Sequence, residues 1–303
     1  MTPPSRQAFP HGRADILRDV KQDERVPFDR ALERARASAF APGDFVEQEG
    51  FMTAGEILAL AARAGVAPGV CVLDLCCGVA GPGRFITREL GCTYLGVDYS
   101  SSAIDIARER ARDLPCAFEV AWIPPLPSRA SDVVLLFETM LAFADKEALV
   151  QGIAGSLTTG GRFAFTLEEG APLTAAERAT MPDADTVWLT PLQEMLACLE
   201  RVGLTVTWQI DCTRAHRVVA QSLADAFAAD AADIARQIGP RALDELLIAH
   251  RLWIDWLRVG RVRKFAFVAF KTEAPVRTDS TTALRLAGAT PRPPQLRVLP
   301  RAR

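Results

Sequence analysis

The residues best placed to do chemistry follow a short apolar run near position 70. The segment "VLDLCCGVAGPG" (72–83) carries Asp74 at the end of the run, followed by two cysteines and three glycines. Glycine allows a tight turn and a close approach of the backbone to a ligand. A second acid, Asp98, ends the next apolar run twenty residues after Gly78, where a carboxylate suits the 2′ and 3′ hydroxyls of a ribose. The pattern predicts a nucleoside site.

The spacing of the glycines and the position of the first acid select among nucleoside cofactors. Dinucleotide enzymes use G-x-G-x-x-G to bring a pyrophosphate to a helix N-terminus. Here the order is Gly78-x-x-Gly81-x-Gly83, and Asp74 precedes the loop, where it would repel a pyrophosphate. The same acid suits a cationic amino group. S-adenosylmethionine has an amino group, a ribose and no phosphate, so the electrostatics favour it over a nicotinamide dinucleotide.

The elements that must position these residues alternate regularly between strand and helix patterns from residue 53 to residue 168. Such alternation predicts right-handed βαβ units and a parallel sheet that is covered on both faces. Ligands bind such sheets beyond the carboxyl ends of the strands. After residue 168 we expect a helix (190–204), a strand (204–210), a helical insert (about 214–259) and a terminal strand (262–271).

At this point the chain resembles a family, the class I S-adenosylmethionine-dependent methyltransferases. "VLDLCCGVAGPG" resembles their first motif, usually D-x-G-C-G-x-G-x-G, and "YLGVDYSSSAIDIA" resembles their second. "SDVVLLFETMLAF" and "SLTTGGRFAFT" resemble their fourth and fifth strands with the adjoining segments. The resemblance covers about residues 55 to 210. It implies an α/β fold with a seven-stranded Rossmann-like sheet in the order 3-2-1-4-5-7-6, the last strand antiparallel.

The resemblance also implies a set of cofactor-binding residues, with two departures. Cys76 stands where the family usually has glycine, and Val120 replaces the acid that often meets the adenine amino group. Adenine recognition then relies on main-chain groups and on Trp122. The residues expected to bind S-adenosylmethionine are Asp74, Cys77, Gly78, Gly83, Asp98, Tyr99, Trp122 and Phe137.

The expected acceptor pocket is rich in aromatic residues, whose ring faces stabilise cations. Methylation of an alkene creates a carbocation, and a carboxylate must then remove a proton; Glu168, at the end of the fifth strand, is the predicted catalytic base. This combination loosely resembles the isoprenyl-diphosphate C-methyltransferases, which act on substrates such as geranyl diphosphate with Mg²⁺ assisting the diphosphate. The residues expected to line the pocket are Gln48, Phe51, Trp188, Trp208, Arg214 and Trp253.

Other functions stay open at this stage. N- or O-methylation of another small natural product fits the same pattern. A catalytically silent protein that binds S-adenosylmethionine has the same cofactor motifs. A nicotinamide oxidoreductase is disfavoured because the G-x-G-x-x-G order is missing.

Composition and length limit the remaining possibilities. The chain has 303 residues, 49% of them hydrophobic, and a net charge of −2, so a nucleic-acid or anionic-membrane partner is not expected. Seven cysteines without ligand spacing indicate reduced thiols in a cytoplasmic protein, and we expect no protein-bound metal. We expect an N-terminal arm and lid (1–52), a methyltransferase domain (53–273) and a disordered basic tail (274–303). A homo-oligomer remains open.

Overall fold

A computed structural model of the protein describes residues 30–272. The first 29 residues of the expected arm and the whole of the expected basic tail lie outside these residues. None of the described helices is long and apolar enough to span a membrane.

The centre of the molecule is a seven-stranded sheet in the order β3-β2-β1-β4-β5-β7-β6. β7 pairs antiparallel with both of its neighbours, whereas β1 to β5 are parallel. The α/β fold class and this strand order are therefore confirmed. The strands are β1 (Cys71–Leu75), β2 (Thr93–Asp98), β3 (Cys116–Val120), β4 (Ser131–Leu136), β5 (Leu157–Glu169), β6 (Leu204–Asp211) and β7 (Arg263–Lys271).

Helices cover both faces of the sheet, and three of them lie between β6 and β7 in the sequence. The α-helices of the described residues are α1 (Ala31–Ser38), α2 (Ala54–Arg63), α3 (Gly81–Leu90), α4 (Ser101–Arg110), α5 (Lys146–Ser156), α6 (Ala175–Thr180), α7 (Leu192–Arg201), α8 (Thr213–Ala229), α9 (Ala231–Ile238) and α10 (Pro240–Val259).

Local sequence explains where the helices around the site begin. α2 starts with a capping box, in which the Thr53 side chain accepts from the Glu56 amide and Glu56 accepts from the Thr53 amide. The Ser100 hydroxyl caps α4 by accepting from the Ala103 amide. α10 starts with Pro240 directly after Gly239, so the helical stretch of the insert is broken there.

The hydrophobic core lies in two layers, one on each face of the sheet. On one face the rings of Phe163, Phe165 and Phe267 stack across β5 and β7, with ring centres 4.5 and 4.9 Å apart. On the other face Ile57 and Leu60 of α2 pack against the central strands. These layers fix the carboxyl ends of β1, β2, β4 and β5, where ligands of such sheets bind.

A third apolar cluster joins two segments that are distant in the sequence. Leu32 of α1 packs with Phe227 of α8 and Leu246 of α10, and Phe51 packs at the edge of the same cluster. We call the assembly of α1, loop 41–52 and helices α8 to α10 the cap. The cap lies over the carboxyl ends of the central strands, since Phe51 and Leu246 line a cavity together with Gly78 and Glu138.

Candidate active site

The glycine loop connects β1 to α3 through three residues with left-handed backbone. Cys76, Gly78 and Ala80 have φ values of 58°, 55° and 56°. Only glycine adopts this conformation without steric cost, and other residues lose roughly 1 kcal/mol. Cys76, which replaces the glycine usual in the related family, therefore keeps the backbone shape of the loop at an energetic cost.

Asp98 holds the glycine loop from the adjacent strand. Its side chain is 3% exposed; one oxygen accepts from the Gly78 amide at 2.8 Å, and the other accepts from the Ser100 amide at 2.9 Å. Each carboxylate oxygen has a further lone pair for a ribose hydroxyl. Asp98 thus fixes the shape of the loop at the position where the sequence predicts ribose binding.

Asp74 is buried directly behind the loop, with Tyr94 as its partner. The Tyr94 hydroxyl donates to an Asp74 oxygen at 2.6 Å. Burial raises the pKa of Asp74 to about 7; the hydrogen bond from Tyr94 opposes this rise, and the nearby Asp98 adds to it. A bound cationic amino group would favour the ionised form of Asp74.

The structure shows a packing role for Gly83. A Cβ atom on this residue would lie 2.1 Å from the Tyr94 hydroxyl oxygen. Gly83 therefore allows α3 to pack against Tyr94, and its contact with the cofactor remains a prediction.

Removal of the Asp74 charge is expected to change how stability depends on pH. Because the folded-state pKa is raised, the folded protein binds a proton that the unfolded chain releases. The stability contributed by Asp74 is therefore lost as pH rises from about 4 to about 7. The free energy of unfolding can be measured in urea without cofactor at pH 5 and at pH 8. The value for Asp74→Asn minus the value for wild type should be more positive at pH 8 than at pH 5, by on the order of 2 kcal/mol. The exposed Asp105→Asn is the control, and parallel pH curves for wild type and Asp74→Asn would contradict the assignment.

The N-terminal arm presses against the glycine loop. A Cβ atom at Gly81 would lie 2.1 Å from the Val46 carbonyl oxygen. Glu47 forms ion pairs with Arg84 of α3 and Arg110 of α4. The buried Gln48 amide accepts from the Val46 amide at 2.6 Å and donates to the Asp44 and Met52 carbonyls, so it stabilises the arm itself.

The arm also contacts Glu138, the second residue after β4. The Phe51 amide donates to a Glu138 oxygen at 3.0 Å, and Glu138 has a left-handed φ of 58°. A Cβ atom at Gly50 would lie 2.4 Å from Cγ of Glu138, closer than atoms tolerate. The arm can pass over Glu138 only because position 50 lacks a side chain.

A methyl group at Gly50 should therefore release the arm. We expect Gly50→Ala to break the hydrogen bond between the Phe51 amide and Glu138 and to speed hydrogen exchange across residues 44–52 at least ~10-fold. Mass spectrometry of peptic peptides measures this exchange. Gly155→Ala is the matched control, since nothing lies within 4 Å of its added Cβ. Equal protection of residues 44–52 in both variants would show that the arm does not depend on Glu138.

A cavity of about 390 Å³ lies between the glycine loop and the cap. Its volume is within the range of small-molecule sites. Three residues expected to bind the cofactor line this cavity: Cys77, Gly78 and Phe137. The predicted base Glu168 and three residues of the expected acceptor pocket line it as well: Gln48, Phe51 and Trp253. Apolar side chains form most of the remaining wall, among them Met52, Ile57, Leu141, Leu246 and Ala249.

A buried group of two acids and one lysine lies in the cavity wall. The Lys264 ammonium donates to Glu138 and lies 2.9 Å from a Glu168 oxygen, and all three side chains are largely buried. Burial alone would lower the pKa of Lys264, but the two carboxylates hold it well above its usual range. Burial opposes ionisation of Glu138, yet Lys264 and His216 together lower its pKa to about 2. One oxygen of Glu138 and one of Glu168 have no hydrogen-bond partner among residues 30–272.

Three residues expected in the acceptor pocket lie elsewhere. Trp188 is 37% exposed and donates its indole N–H to the Asp185 carbonyl. Trp208 is on β6, which β7 separates from β5, and its ring stacks under Arg63. Arg214 is exposed on the first turn of α8. None of the three lines this cavity, so the structure does not bring them together with Glu168, and their contact with an acceptor stays a prediction.

The aromatic pair expected near the adenine lies at the carboxyl ends of β2 and β3. The rings of Tyr99 and Trp122 stack with centres 4.9 Å apart, and Trp122 is 60% exposed. This arrangement leaves the Trp122 ring accessible. Their contact with the adenine remains a prediction.

Sequence reasoning missed two functional features of this wall. The first is Glu138, the second residue after the central strand β4, and its place at the carboxyl end of that strand was the available signal. The second is Lys264, for which the local sequence gave no sign of its partner. Its pairing with Glu168 follows from the antiparallel register of β5 and β7, which places Glu168 opposite Lys264.

The strand order, the glycine loop and the acid after β2 define a nucleoside-binding α/β protein of the methyltransferase class. Residues 72–161 match the family model described as a methyltransferase domain. "Methyltransferase GfsG" from Streptomyces halstedii is 27% identical over 178 residues, which are 54% of this chain and 63% of that protein. The chain thus spans less than two thirds of the length of this relative. Residues 72–161 thus form a methyltransferase domain, and its strand order and glycine loop are similar to those of the class I S-adenosylmethionine-dependent methyltransferases.

Solved structures agree with the fold. The cyclopropane synthase MmaA2 from Mycobacterium tuberculosis has a TM-score of 0.71 at 12% identity, covering 88% of this chain and all (100%) of that one. A geranyl diphosphate methyltransferase in complex with GPP and sinefungin has a TM-score of 0.59 at 17% identity, and the match covers 73% of this chain and 80% of that one. At such identities the likeness shows the fold alone.

Proposed function

We propose that this protein transfers the methyl group of S-adenosylmethionine to a small molecule bound in the cavity under the cap. The observation that carries the proposal is the composition of one cavity wall. Gly78 of the cofactor loop, the carboxylate of Glu168 and the apolar side chains of the cap all face the same space. A site of this kind can bring a nucleophile and a cofactor together and exclude water.

The charges of the wall favour a neutral or cationic acceptor. Among the described residues, Lys264 is the single lysine or arginine in the wall, and Glu138 and Glu168 already neutralise it. Glu47 and Glu49 also line the cavity, and arginines outside the wall pair with both of them. An amine or a hydroxyl compound with an apolar body suits such a wall, so N- or O-methylation is the form of the reaction that we favour.

C-methylation of an allylic diphosphate such as geranyl diphosphate is the second candidate. Its support is the aromatic and carboxylate wall, in which Phe51, Trp253 and Glu168 could stabilise a carbocation and remove a proton. A diphosphate needs several cationic groups or Mg²⁺. No arginine among residues 30–272 lines this wall; Arg261 is paired with Glu177 and Arg258 with Asp255. We therefore rank this candidate below amine or hydroxyl methylation.

The residues fit S-adenosylmethionine, because Cys77 and Gly78 line the cavity and Asp98 holds the Gly78 amide from the neighbouring strand. When bound, this cofactor supplies an electrophilic methyl group on a sulfonium. In our proposal the cap orients the acceptor so that its lone pair forms the new bond to that carbon, while the electrons of the carbon–sulfur bond remain on sulfur. The proton leaving the acceptor goes to the free oxygen of Glu168. Glu138, held by Lys264, keeps the arm closed.

The test offers three acceptor classes to the purified full chain with S-adenosylmethionine carrying a deuterated methyl group. The classes are aliphatic amines with apolar tails, hydroxylated compounds of similar size, and allylic diphosphates with and without Mg²⁺. Mass spectrometry of the products should find the labelled methyl on an amine or hydroxyl compound. A label on the diphosphates alone would reverse our ranking. Tight cofactor binding in calorimetry without labelled product from any class would favour a catalytically silent binding protein.

A further inference from the structure

We propose that Glu56, Cys212 and His216 form a binding site for a zinc-type divalent metal ion. This site joins α2 of the sheet domain to α8 of the cap. It does not depend on the proposed function.

The three side chains already converge. One carboxylate oxygen of Glu56, the Cys212 sulfur and a ring nitrogen of His216 lie within 4.8 Å of one another. Cys212 directly precedes α8, and the His216 amide donates to the Cys212 carbonyl at 2.9 Å, so the two side chains are one helical turn apart. Tetrahedral zinc, with bonds of about 2.0–2.3 Å, requires ligand atoms roughly 3.3–3.8 Å apart. Closing the present gaps needs movements of about an ångström.

Each ligand has an atom available. The His216 side chain is fully buried, and neither of its ring nitrogens has a hydrogen-bond partner within residues 30–272. Its Nε2 lies 3.4 Å from Oε1 of Glu56, the oxygen that the capping box leaves unused, because Oε2 accepts from Thr53. The Cys212 sulfur has only a long contact of 3.9 Å with the Ile210 carbonyl. Buried polar atoms without partners are costly, and a metal ion would satisfy several of them together.

The surroundings fit a cation as well. Glu138 lies on the other side of His216, with its unpartnered oxygen 4.0 Å from Nδ1. In zinc sites a carboxylate commonly accepts from the second ring nitrogen of a histidine ligand and fixes its orientation. The buried acids Glu138 and Glu168 share a single lysine, so the region has an excess of negative charge that a dication would offset. Sulfur, nitrogen and oxygen donors together favour zinc over magnesium or calcium.

The alternative is that His216 is only an ion-pair partner of Glu56 and Glu138, without a metal. Cobalt(II) distinguishes the two, because a thiolate ligand gives an absorption band that a carboxylate–imidazole pair cannot give. The full-length protein is stripped with a chelator and titrated with Co²⁺. We expect about one equivalent to bind per chain, with a thiolate-to-cobalt band in the near ultraviolet and release of the thiol proton.

Matched variants make the test specific. Cys212→Ser should abolish the band, whereas Cys116→Ser, at a half-buried cysteine far from the cluster, should keep it. Zinc should raise the melting temperature of wild type and Cys116→Ser by several degrees and leave Cys212→Ser unchanged. If Cys212→Ser melts like wild type before zinc is added, loss of folding does not explain its lost response. Less than about a tenth of an equivalent of cobalt in wild type, or an unchanged band in Cys212→Ser, overturns the proposal.

Discussion

Replacing Asp98 with alanine should weaken S-adenosylmethionine binding by about 2 to 4 kcal/mol, which is roughly 30- to 1000-fold in the dissociation constant. The loss has two sources. The carboxylate would no longer accept charge-assisted hydrogen bonds from the ribose hydroxyls. It would also no longer hold the Gly78 amide, at 2.8 Å, or the Ser100 amide, at 2.9 Å, so the loop would lose its fixed shape.

Calorimetry with S-adenosylmethionine and with S-adenosylhomocysteine measures this effect. Asp98→Asn should give an intermediate loss, because its carbonyl can still accept from one amide but carries no charge. Asp105→Ala, at an exposed acid of α4, is the control for a general change of charge. An unchanged dissociation constant in Asp98→Ala would remove this residue from the cofactor site.

The second large effect is expected at Glu168. Glu168→Gln keeps the size of the side chain and its hydrogen bonding to Lys264, but it removes the basicity of the free oxygen. We expect turnover to fall at least ~100-fold, within the usual range for the loss of a general base. The affinity for S-adenosylmethionine should stay within about 3-fold of wild type, because a glutamine still lines the cavity. The assay uses whichever acceptor the three-class experiment identifies.

Glu169→Gln provides a close control for this experiment. The neighbouring acid forms an ion pair with Arg263 at 2.8 Å and does not line the cavity. It should retain near-normal turnover. If Glu168→Gln is also near normal, the proton leaves by another route, and the free oxygen of Glu138 is the next group to examine.

Much of the fold could be predicted because strand and helix signals alternate without interruption through the sheet. The parallel strands and the glycine loop after β1 depend on local pattern and on the handedness of βαβ units. The strand order was implied by the resemblance to the methyltransferase family. The same reasoning places Asp98 near Gly78, since the carboxyl ends of neighbouring parallel strands lie at the same edge of the sheet. The hydrogen bond between them follows directly from that placement.

The features that could not be predicted depend on register and on long-range packing. The pairing of Lys264 with Glu168 requires the antiparallel register of β5 and β7, which no local pattern reveals. The burial of Gly81 under Val46 depends on the path of an irregular loop, and turn chemistry alone does not fix that path.

The composition of the cap limits how the acceptor preference of this protein could be changed by recombination. In the sequence, one part of the cap comes before β1 and the other part lies between β6 and β7. Leu32 of the first part nevertheless shares one apolar cluster with Phe227 and Leu246 of the second. A chimaera that grafts only the insert from a relative would place foreign helices against a native N-terminal arm. The graft would then leave mismatched apolar surfaces directly above Glu138. Exchange of acceptor preference by recombination therefore requires both segments to be transplanted together, as a matched pair.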